Sequence, residues 1–123
     1  MPRSTLQADL DVEVSGSVAP YANIYLYTGY DTLVSIGLLN AAARVVEDNN
    51  ADVISVSYGI CEPSLGLAGN LFFSQLWSQA TAQGQSVFVS TGDSGAAGCD
   101  NGSASATHGL AVNGISSTPY DVS

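Results

Sequence analysis

The apolar positions of this chain alternate between helical and extended spacing. Apolar residues three or four positions apart predict helices, and short runs rich in β-branched residues predict strands. In chain order, the predicted elements are helix 6–18, strand 23–27, helix 33–46, strand 52–57, helix 71–80, a strand from Ser86 and a short strand over 110–112. Glycine, cysteine and proline between Tyr58 and Gly66 predict a loop there.

Short connections between strands and helices predict an α/β fold with a parallel, doubly wound sheet. The strand from Ser86 runs directly into Thr91-Gly92-Asp93-Ser94-Gly95. Ligands gather beyond the carboxyl ends of parallel strands, so Asp93 is a candidate for chemistry, with a glycine-rich surface turn as the alternative. Ser57-Tyr58-Gly59 follows a neighbouring strand, and one cleft can therefore use both segments.

Composition indicates one folded domain and limits its partners. The chain has 123 residues, 46% of them hydrophobic, and a formal net charge of −9, with Arg3 and Arg44 as its basic residues. This acidity argues against nucleic acid and anionic membranes as partners. No run approaches the roughly 18 apolar residues of a membrane span, and residues 1–4 do not resemble a secretory signal, so an export signal would lie outside this chain.

Two cysteines follow predicted strands. Cys61 and Cys99 both lie in loops that leave the same edge of the predicted sheet. A disulfide between them and two free thiols are both compatible with this spacing. A disulfide would favour an oxidising compartment.

The first helix carries a second set of candidate residues. Gln7 and Asp11 stand four positions apart, as do Asp9 and Glu13, so each pair shares a helical face. Successive residues turn by about 100°, which places Gln7 and Asp11 nearer the apolar stripe. The stripe predicted to be buried consists of Leu6, Leu10 and Val14. The alternative is that all four polar residues form the solvated face of an amphipathic helix.

Three segments together resemble the sedolisin family of serine-carboxyl peptidases. They are Leu10-Asp11-Val12-Glu13-Val14 with Val18-Ala19-Pro20, then Asp52-Val53-Ile54-Ser55-Val56-Ser57-Tyr58-Gly59, and finally Ser90-Thr91-Gly92-Asp93-Ser94-Gly95. They occur in the order and at about the spacing of that family, over nearly the whole chain. The resemblance implies a subtilisin-like α/β fold, with residues 1–123 as the N-terminal to central part of a peptidase catalytic domain.

The resemblance also implies roles for individual residues. Asp11 matches the aspartate that orients a general-base glutamate, Gln7 occupies the glutamate position, and Asp93 matches the oxyanion-hole aspartate. A carboxyl group donates a hydrogen bond to an oxyanion only while protonated, so such a site operates in acid. Ser57-Tyr58-Gly59 and Gly92 match the segments that bind the substrate peptide, with a backbone that pairs with it by strand addition.

The chain departs from the family pattern at two points. Gln7 carries an amide, which cannot accept and return a proton at useful pH. The nucleophilic serine of the family lies in a downstream Gly-Thr-Ser segment that does not occur before Ser123. The family's calcium site would lie in the same missing part, so no cofactor is expected in this chain. We therefore expect a secreted, acid-acting serine endopeptidase whose residues 1–123 are inactive alone.

Two other interpretations compete with the peptidase fragment. Gly92-Asp93-Ser94-Gly95 resembles the active-site serine segment of chymotrypsin-like peptidases, but that fold is all-β and its histidine precedes the serine, whereas His108 follows it. His108 is interpreted as a loop histidine rather than a base or metal ligand. The second alternative, favoured by Gln7, is a non-catalytic α/β module that binds peptides or protein partners.

Overall fold

A computed structural model describes residues 3–32, 36–100, 102–103 and 105–123, with side chains from residue 6 onwards. The described elements are α1 (Arg3–Val18), α2 (Gly37–Asp48), β1 (Val53–Val56), α3 (Glu62–Ala82) and β2 (Ser86–Val89). The chain divides into two compact units, Met1–Arg44 and Val45–Ser123. None of the described helices is long and apolar enough to cross a membrane.

The first unit confirms the predicted first helix but not its buried face. Helix α1 covers the predicted residues, yet Leu6, Leu10 and Val14 are 64%, 52% and 52% exposed, so the prediction of a buried stripe was wrong. Helical spacing sets which side chains share a face, whereas burial depends on what packs against that face. The apolar spacing therefore predicted the helix correctly but did not predict which of its side chains are buried.

The predicted strand over residues 23–27 was also wrong. These residues have no regular secondary structure, and Ile24, Tyr25 and Leu26 are substantially exposed. A strand exists through hydrogen bonds to a neighbour, and no described strand pairs with this segment. Helix α2 begins at Gly37, whose N–H donates to Asp31 Oδ1 at 2.7 Å. The predicted earlier start at Leu33 lies outside the described residues.

The second unit contains the parallel sheet and its core, which confirms the predicted α/β fold class. Strands β1 and β2 pair in parallel, with Val53 opposite Ser86 and Val56 opposite Val89. Helix α3 connects them and packs against β2. The buried apolar side chains of this unit are Val46, Ile54, Phe73, Leu76, Trp77, Ala80, Val87, Val89 and Ile115.

Helix α3 begins nine residues before the predicted start. The loop predicted for residues 58–66 ends at Cys61, because Pro63 lies in the first helical turn, where its missing N–H costs no hydrogen bond. Gly66 has φ 70° and ψ 172°, so a kink divides the helix at this residue. The prediction of a loop was therefore wrong for residues 62–66, where Pro63 is accommodated in the first turn and Gly66 alone interrupts the helix.

The segment after β2 holds the second unit together without forming a regular strand. The strand predicted over residues 110–112 was wrong, because pairing there is limited to isolated bridges from Ala111 to Ala97 and from Asn113 to Cys61. Further on, Val89 N–H donates to Val122 O at 3.0 Å and Val122 N–H donates to Val87 O at 2.9 Å. The C-terminal residues therefore pair with β2.

Candidate functional site

The carboxyl ends of β1 and β2 bring two predicted site segments to one edge of the sheet. Because Val56 lies opposite Val89 in a parallel pair, the segments Ser57-Tyr58-Gly59 and Thr91-Gly92-Asp93 leave neighbouring strands on the same side. Tyr58 and Gly59 are exposed, as are Gly92 and Asp93. These two segments define the candidate site, which we call the carboxyl edge.

Asn113 joins the two segments of the carboxyl edge. Asn113 is only 5% exposed, and its Nδ2 donates to Ser90 O at 2.7 Å and to Tyr58 O at 3.4 Å. Its Oδ1 accepts from Ile60 N–H at 3.1 Å and from Ile115 N–H at 3.2 Å. Both ends of this amide are thus satisfied, as a buried polar group requires.

Covalent and backbone links fix the same region. Cys61 and Cys99 form a disulfide with a Cα–Cα distance of 5.1 Å, which decides between the two alternatives left open by the sequence. Glu62 N–H donates to Val112 O at 2.9 Å, and Gly114 N–H donates to Ile60 O at 2.9 Å. The loop after β1 is therefore tied both to the loop after β2 and to the Asn113 segment.

Asp93 lies beside an open depression in the loop that follows β2. The loop turns at Gly92 and Gly95, which have φ of 93° and 54°, a region that side-chain-bearing residues rarely adopt. The depression has a volume of about 420 Å³ and is lined by Asp93, Ser94, Ala97, Asp100, Gly102, Ser103 and Ala106. The exposed Asp93 carboxyl group is thus accessible to a ligand.

Asp100, at the wall of this depression, is held by a set of hydrogen bonds that the sequence did not reveal. Its carboxylate accepts from Thr107 N–H at 2.9 Å, Thr107 Oγ1 at 3.1 Å and His108 N–H at 3.1 Å, and lies 2.6 Å from His108 Nδ1. These contacts, the Thr107 N–H first and the His108 ring next, hold the pKa of Asp100 well below its usual range. The Asp100 carboxylate therefore stays charged in acid that protonates ordinary carboxyl groups.

Gln7 and Asp11 form the other predicted site pair, on α1 in the first unit. Gln7 Nε2 donates to Asp11 Oδ1 at 2.9 Å, which confirms that the two side chains share a face. Gln7 is exposed and Asp11 is half-buried. Gln7 and Asp11 belong to the first unit, whereas Asp93 and Ser57-Tyr58-Gly59 belong to the second.

Two residues beside the carboxyl edge, Asn113 and Asp100, were not predicted from the sequence. Asn113 precedes Gly114, and this dipeptide is typical of a turn, while Asp100 stands in a polar stretch typical of a surface loop. The buried polar contacts of both residues come from segments that the pattern did not relate to them. His108, interpreted as a loop histidine, is 66% exposed at its side chain and contacts Asp100.

The potential metal ligands do not cluster in the part of the chain that the structure describes. Within the described ranges, no three His, Cys, Asp or Glu side chains are grouped so as to hold a metal ion. The polar groups at the carboxyl edge are instead backbone amides and carbonyls, the Asn113 amide and the carboxyl groups of Asp93 and Asp100. The backbone amides and carbonyls suit pairing with an extended peptide backbone, and the backbone N–H groups can donate to a negative charge.

Comparisons with known proteins agree with this geometry. The chain is 34% identical over 91 residues to kumamolisin from Bacillus sp. (strain MN-32), which covers 72% of this chain and 16% of that protein. It is 42% identical over 66 residues to sedolisin from Pseudomonas sp. (strain 101), covering 53% of this chain and 11% of sedolisin. The chain thus spans less than a fifth of the length of these relatives. No protein-family model matches the chain.

A solved structure is similar as well. It is Pseudomonas sedolisin, a serine-carboxyl proteinase, complexed with two molecules of pseudo-iodotyrostatin. The TM-score is 0.62 at 33% sequence identity, over 70% of this chain and 24% of the solved one. Over the part that matches, this chain is a sedolisin-family sequence with the parallel α/β, subtilisin-like fold of that family.

Proposed function

We propose that this chain supplies the substrate-binding and oxyanion-stabilising part of a serine-carboxyl endopeptidase that acts on peptides and proteins. The observation that carries the proposal is the position of Ser57-Tyr58-Gly59 and Asp93 at one edge of the β1–β2 pair. The similarity to sedolisin supports it. The reaction would be hydrolysis of a peptide bond, with the nucleophile provided by a serine outside residues 1–123.

The segment Ser57-Tyr58-Gly59 would bind the substrate backbone. It continues from β1, its residues Tyr58 and Gly59 are exposed, and its neighbour Ile60 is anchored by Asn113. An extended peptide placed alongside would gain main-chain hydrogen bonds by strand addition, without a requirement for particular side chains in this segment. Gly92, with φ 93°, would let the opposite loop turn toward the peptide without a Cβ in the way.

Asp93 would donate a hydrogen bond to the oxyanion that forms when a serine attacks the scissile carbonyl. Its carboxyl group can donate only while it carries a proton, so the reaction would require acid. Asp100 would keep the neighbouring loop in place under those conditions, because its pKa is lowered by Thr107 and His108.

Asp11 would orient the group at position 7, which in this chain is Gln7. The Gln7 amide cannot act as a base, and the loss of a general base costs on the order of 10²–10⁴ in rate. We therefore expect slow turnover even when the serine is present. The Cys61–Cys99 disulfide supports an oxidising location, and we place the protein outside the cell.

A second candidate function is non-catalytic peptide or protein binding at the same edge. The observation in its favour is the hydrogen bond from Gln7 Nε2 to Asp11 Oδ1 at 2.9 Å. In this pair the amide is the donor and the carboxylate the acceptor, an arrangement with no proton to transfer. A module of this kind would keep the carboxyl edge and bind peptides without cleaving them.

Binding is tested with pseudo-iodotyrostatin, the molecule bound to the solved relative. Backbone amide resonances of the isotope-labelled chain are followed during a titration near pH 4. We expect shift changes centred on residues 57–59 and 91–95, with Gly59→Pro as the variant that blocks strand addition. Changes confined to α1, or equal responses of wild type and Gly59→Pro, would refute the assignment of this edge.

Catalysis is tested separately on the full-length gene product. Cleavage of a broad peptide library near pH 4 is compared between wild type and Gln7→Glu, with Asp9→Glu as a matched helix control. A rate gain of 10²-fold or more in Gln7→Glu alone supports the peptidase. Equal rates would remove Gln7 from the base position, and binding without cleavage by either protein would favour the non-catalytic module.

A further inference from the structure

The β1–β2 ladder ends in an unusual way at the carboxyl edge. In a parallel pair, every second residue of one strand makes two backbone hydrogen bonds to the other strand. Its N–H donates to the residue before its partner, and its C=O accepts from the residue after its partner. Ser90 N–H makes the last described ladder bond, to Val56 O at 3.0 Å. If the pattern continued, Ser90 O would next accept from Tyr58 N–H.

Asn113 takes the acceptor that this next bond would use. Its Nδ2 donates to Ser90 O at 2.7 Å, the shortest of its four side-chain hydrogen bonds, and also lies 3.4 Å from Tyr58 O. The side chain therefore stands between the two strand ends and hydrogen-bonds to both. Residue 113 is buried, so solvent does not compete strongly for its amide group.

We propose that Asn113 is a positioning residue of the peptide site, which holds the carboxyl ends of β1 and β2 apart. Its amide occupies the place of the Tyr58–Ser90 ladder bond. It thereby prevents the segment Ser57-Tyr58-Gly59 from forming backbone hydrogen bonds with the residues after β2. The segment then presents its backbone to an incoming peptide instead. This role rests on the proposed function in that residues 57–59 bind the peptide, whereas the separation of the strand ends does not depend on it.

The acceptor half of the Asn113 amide has a distinct task. Oδ1 accepts from Ile60 N–H and from Ile115 N–H, which fixes the end of the peptide-binding segment and the turn that carries Asn113 itself. The donor Nδ2 thus acts on the strand ends, and the acceptor Oδ1 holds Ile60 and Ile115 in place. Asn113→Asp retains the acceptors and removes the donors, so it separates the two tasks.

Proton uptake offers a rescue that a packing role would not show. At pH 7 the carboxylate of Asn113→Asp faces Ser90 O and Tyr58 O without a donor. Below about pH 4 an ordinary carboxyl group gains a proton and can again donate one hydrogen bond to Ser90 O. The titratable side chains on the joined segments are Tyr58 and Glu62, both exposed, with Asp93 in the next loop. Wild type contains the same three groups, so its binding at each pH serves as the control for their effect.

The first arm of the test measures affinity for pseudo-iodotyrostatin at pH 7 and pH 3 in folded samples. We expect Asn113→Asp to bind at least tenfold more weakly than wild type at pH 7, with the ratio returning toward one at pH 3. Gln85→Glu is the matched control, since Gln85 is a buried amide at the other end of the same strands. It should stay within twofold of wild type at both values. Equal losses in both variants, or none in Asn113→Asp, would overturn the proposal.

The second arm needs no ligand and therefore distinguishes this proposal from the proposed function. Amide hydrogen exchange is compared between wild type and Asn113→Leu, whose side chain branches at the same atom and lacks polar atoms. If Asn113 holds the strand ends apart, its loss lets Tyr58 N–H bond to Ser90 O, and Tyr58 exchange slows at least tenfold while Ile60 exchange accelerates. Unchanged or faster Tyr58 exchange would refute the proposal, even if the probe binds. Slower Tyr58 exchange with no probe binding to wild type would retain it and reject the peptide site.

Discussion

The two ends of the β1–β2 pair each contain a buried amide side chain, and the two amides have opposite effects. At the amino end, Gln85 Nε2 donates to Ala51 O at 3.0 Å, and the ladder begins normally with Ser86 N–H to Asp52 O at 2.8 Å. At the carboxyl end, the Asn113 amide takes the Ser90 acceptor of the ladder itself. The Gln85 amide adds a hydrogen bond outside the ladder, whereas the Asn113 amide ends the ladder.

The two amides also differ in how completely they are used. Gln85 Oε1 is buried without a hydrogen-bond partner among the described residues, whereas both Asn113 oxygen and nitrogen are satisfied. The amino end is held by backbone pairing, with the side chain as an addition. The carboxyl end depends on one side chain that joins three segments of the chain, and variants should therefore have unequal effects at the two ends.

The largest effect is expected for Asn113→Leu. The substitution leaves two donors without their acceptor, the half-buried Ile60 N–H and the buried Ile115 N–H. Each unsatisfied buried group costs about 1–3 kcal/mol, so we expect a loss of about 4 kcal/mol in the free energy of unfolding. Urea unfolding of the chain measures it. A loss under about 1 kcal/mol would contradict the dependence of this end on Asn113.

The next largest effect is expected from loss of the Cys61–Cys99 disulfide, which also lies at the carboxyl end. The paired Cys61→Ala and Cys99→Ala variant removes a link across 38 positions, for which a loss of about 3 kcal/mol is expected. Hydrogen exchange should rise most at Ile60 and least at Val87. The reduced wild-type protein is the control, and uniform acceleration across β1 and β2 would show that the link does not act locally.

A smaller and pH-dependent effect is expected for Asp100→Asn. The folded-state pKa of Asp100 is lowered, so its charged form stabilises the fold above about pH 4, where the unfolded carboxyl group ionises, and this contribution is lost as pH falls through the lowered folded pKa. The thermal midpoints of wild type and Asp100→Asn, measured between about pH 2 and 7, should therefore differ most near neutrality and become more similar as the pH falls.

The smallest effect is expected for Gln85→Met at the amino end. The substitution loses one bond to Ala51 O but also removes the unpartnered Oε1, so the two terms oppose each other. We expect a change of about 1 kcal/mol or less in the free energy of unfolding, measured in the same urea experiments as Asn113→Leu. Equal losses at Gln85 and Asn113 would mean that the two ends do not differ as described.

The sequence was most informative where the interactions are local. Apolar spacing located helix α1, and β-branched runs located β1 and β2, because each pattern reflects neighbours along the chain. The same type of run at residues 23–27 did not form a strand, since strand formation needs a pairing partner that local composition does not specify. Gly66 marked a real break in α3 without revealing that the helix had already begun at Glu62.

The candidate site shows the same division. The topology predicted that Asp93 and Ser57-Tyr58-Gly59 would share an edge, because parallel strands place their carboxyl ends together. Asn113 could not be found in this way, since Ile60, which contacts its side chain, is 53 positions away in sequence. Its role follows from which backbone acceptor it reaches, and that depends on how the C-terminal segment returns to the sheet.

The single tryptophan of the chain makes that return observable. Trp77 is fully buried, and its indole Nε1 donates to Ile115 O at 3.0 Å, two residues after Asn113. Its fluorescence emission should therefore shift to longer wavelength when the C-terminal segment detaches and water reaches the ring. An intrinsic optical signal thus distinguishes molecules in which the carboxyl edge is assembled from those in which only β1, α3 and β2 are folded.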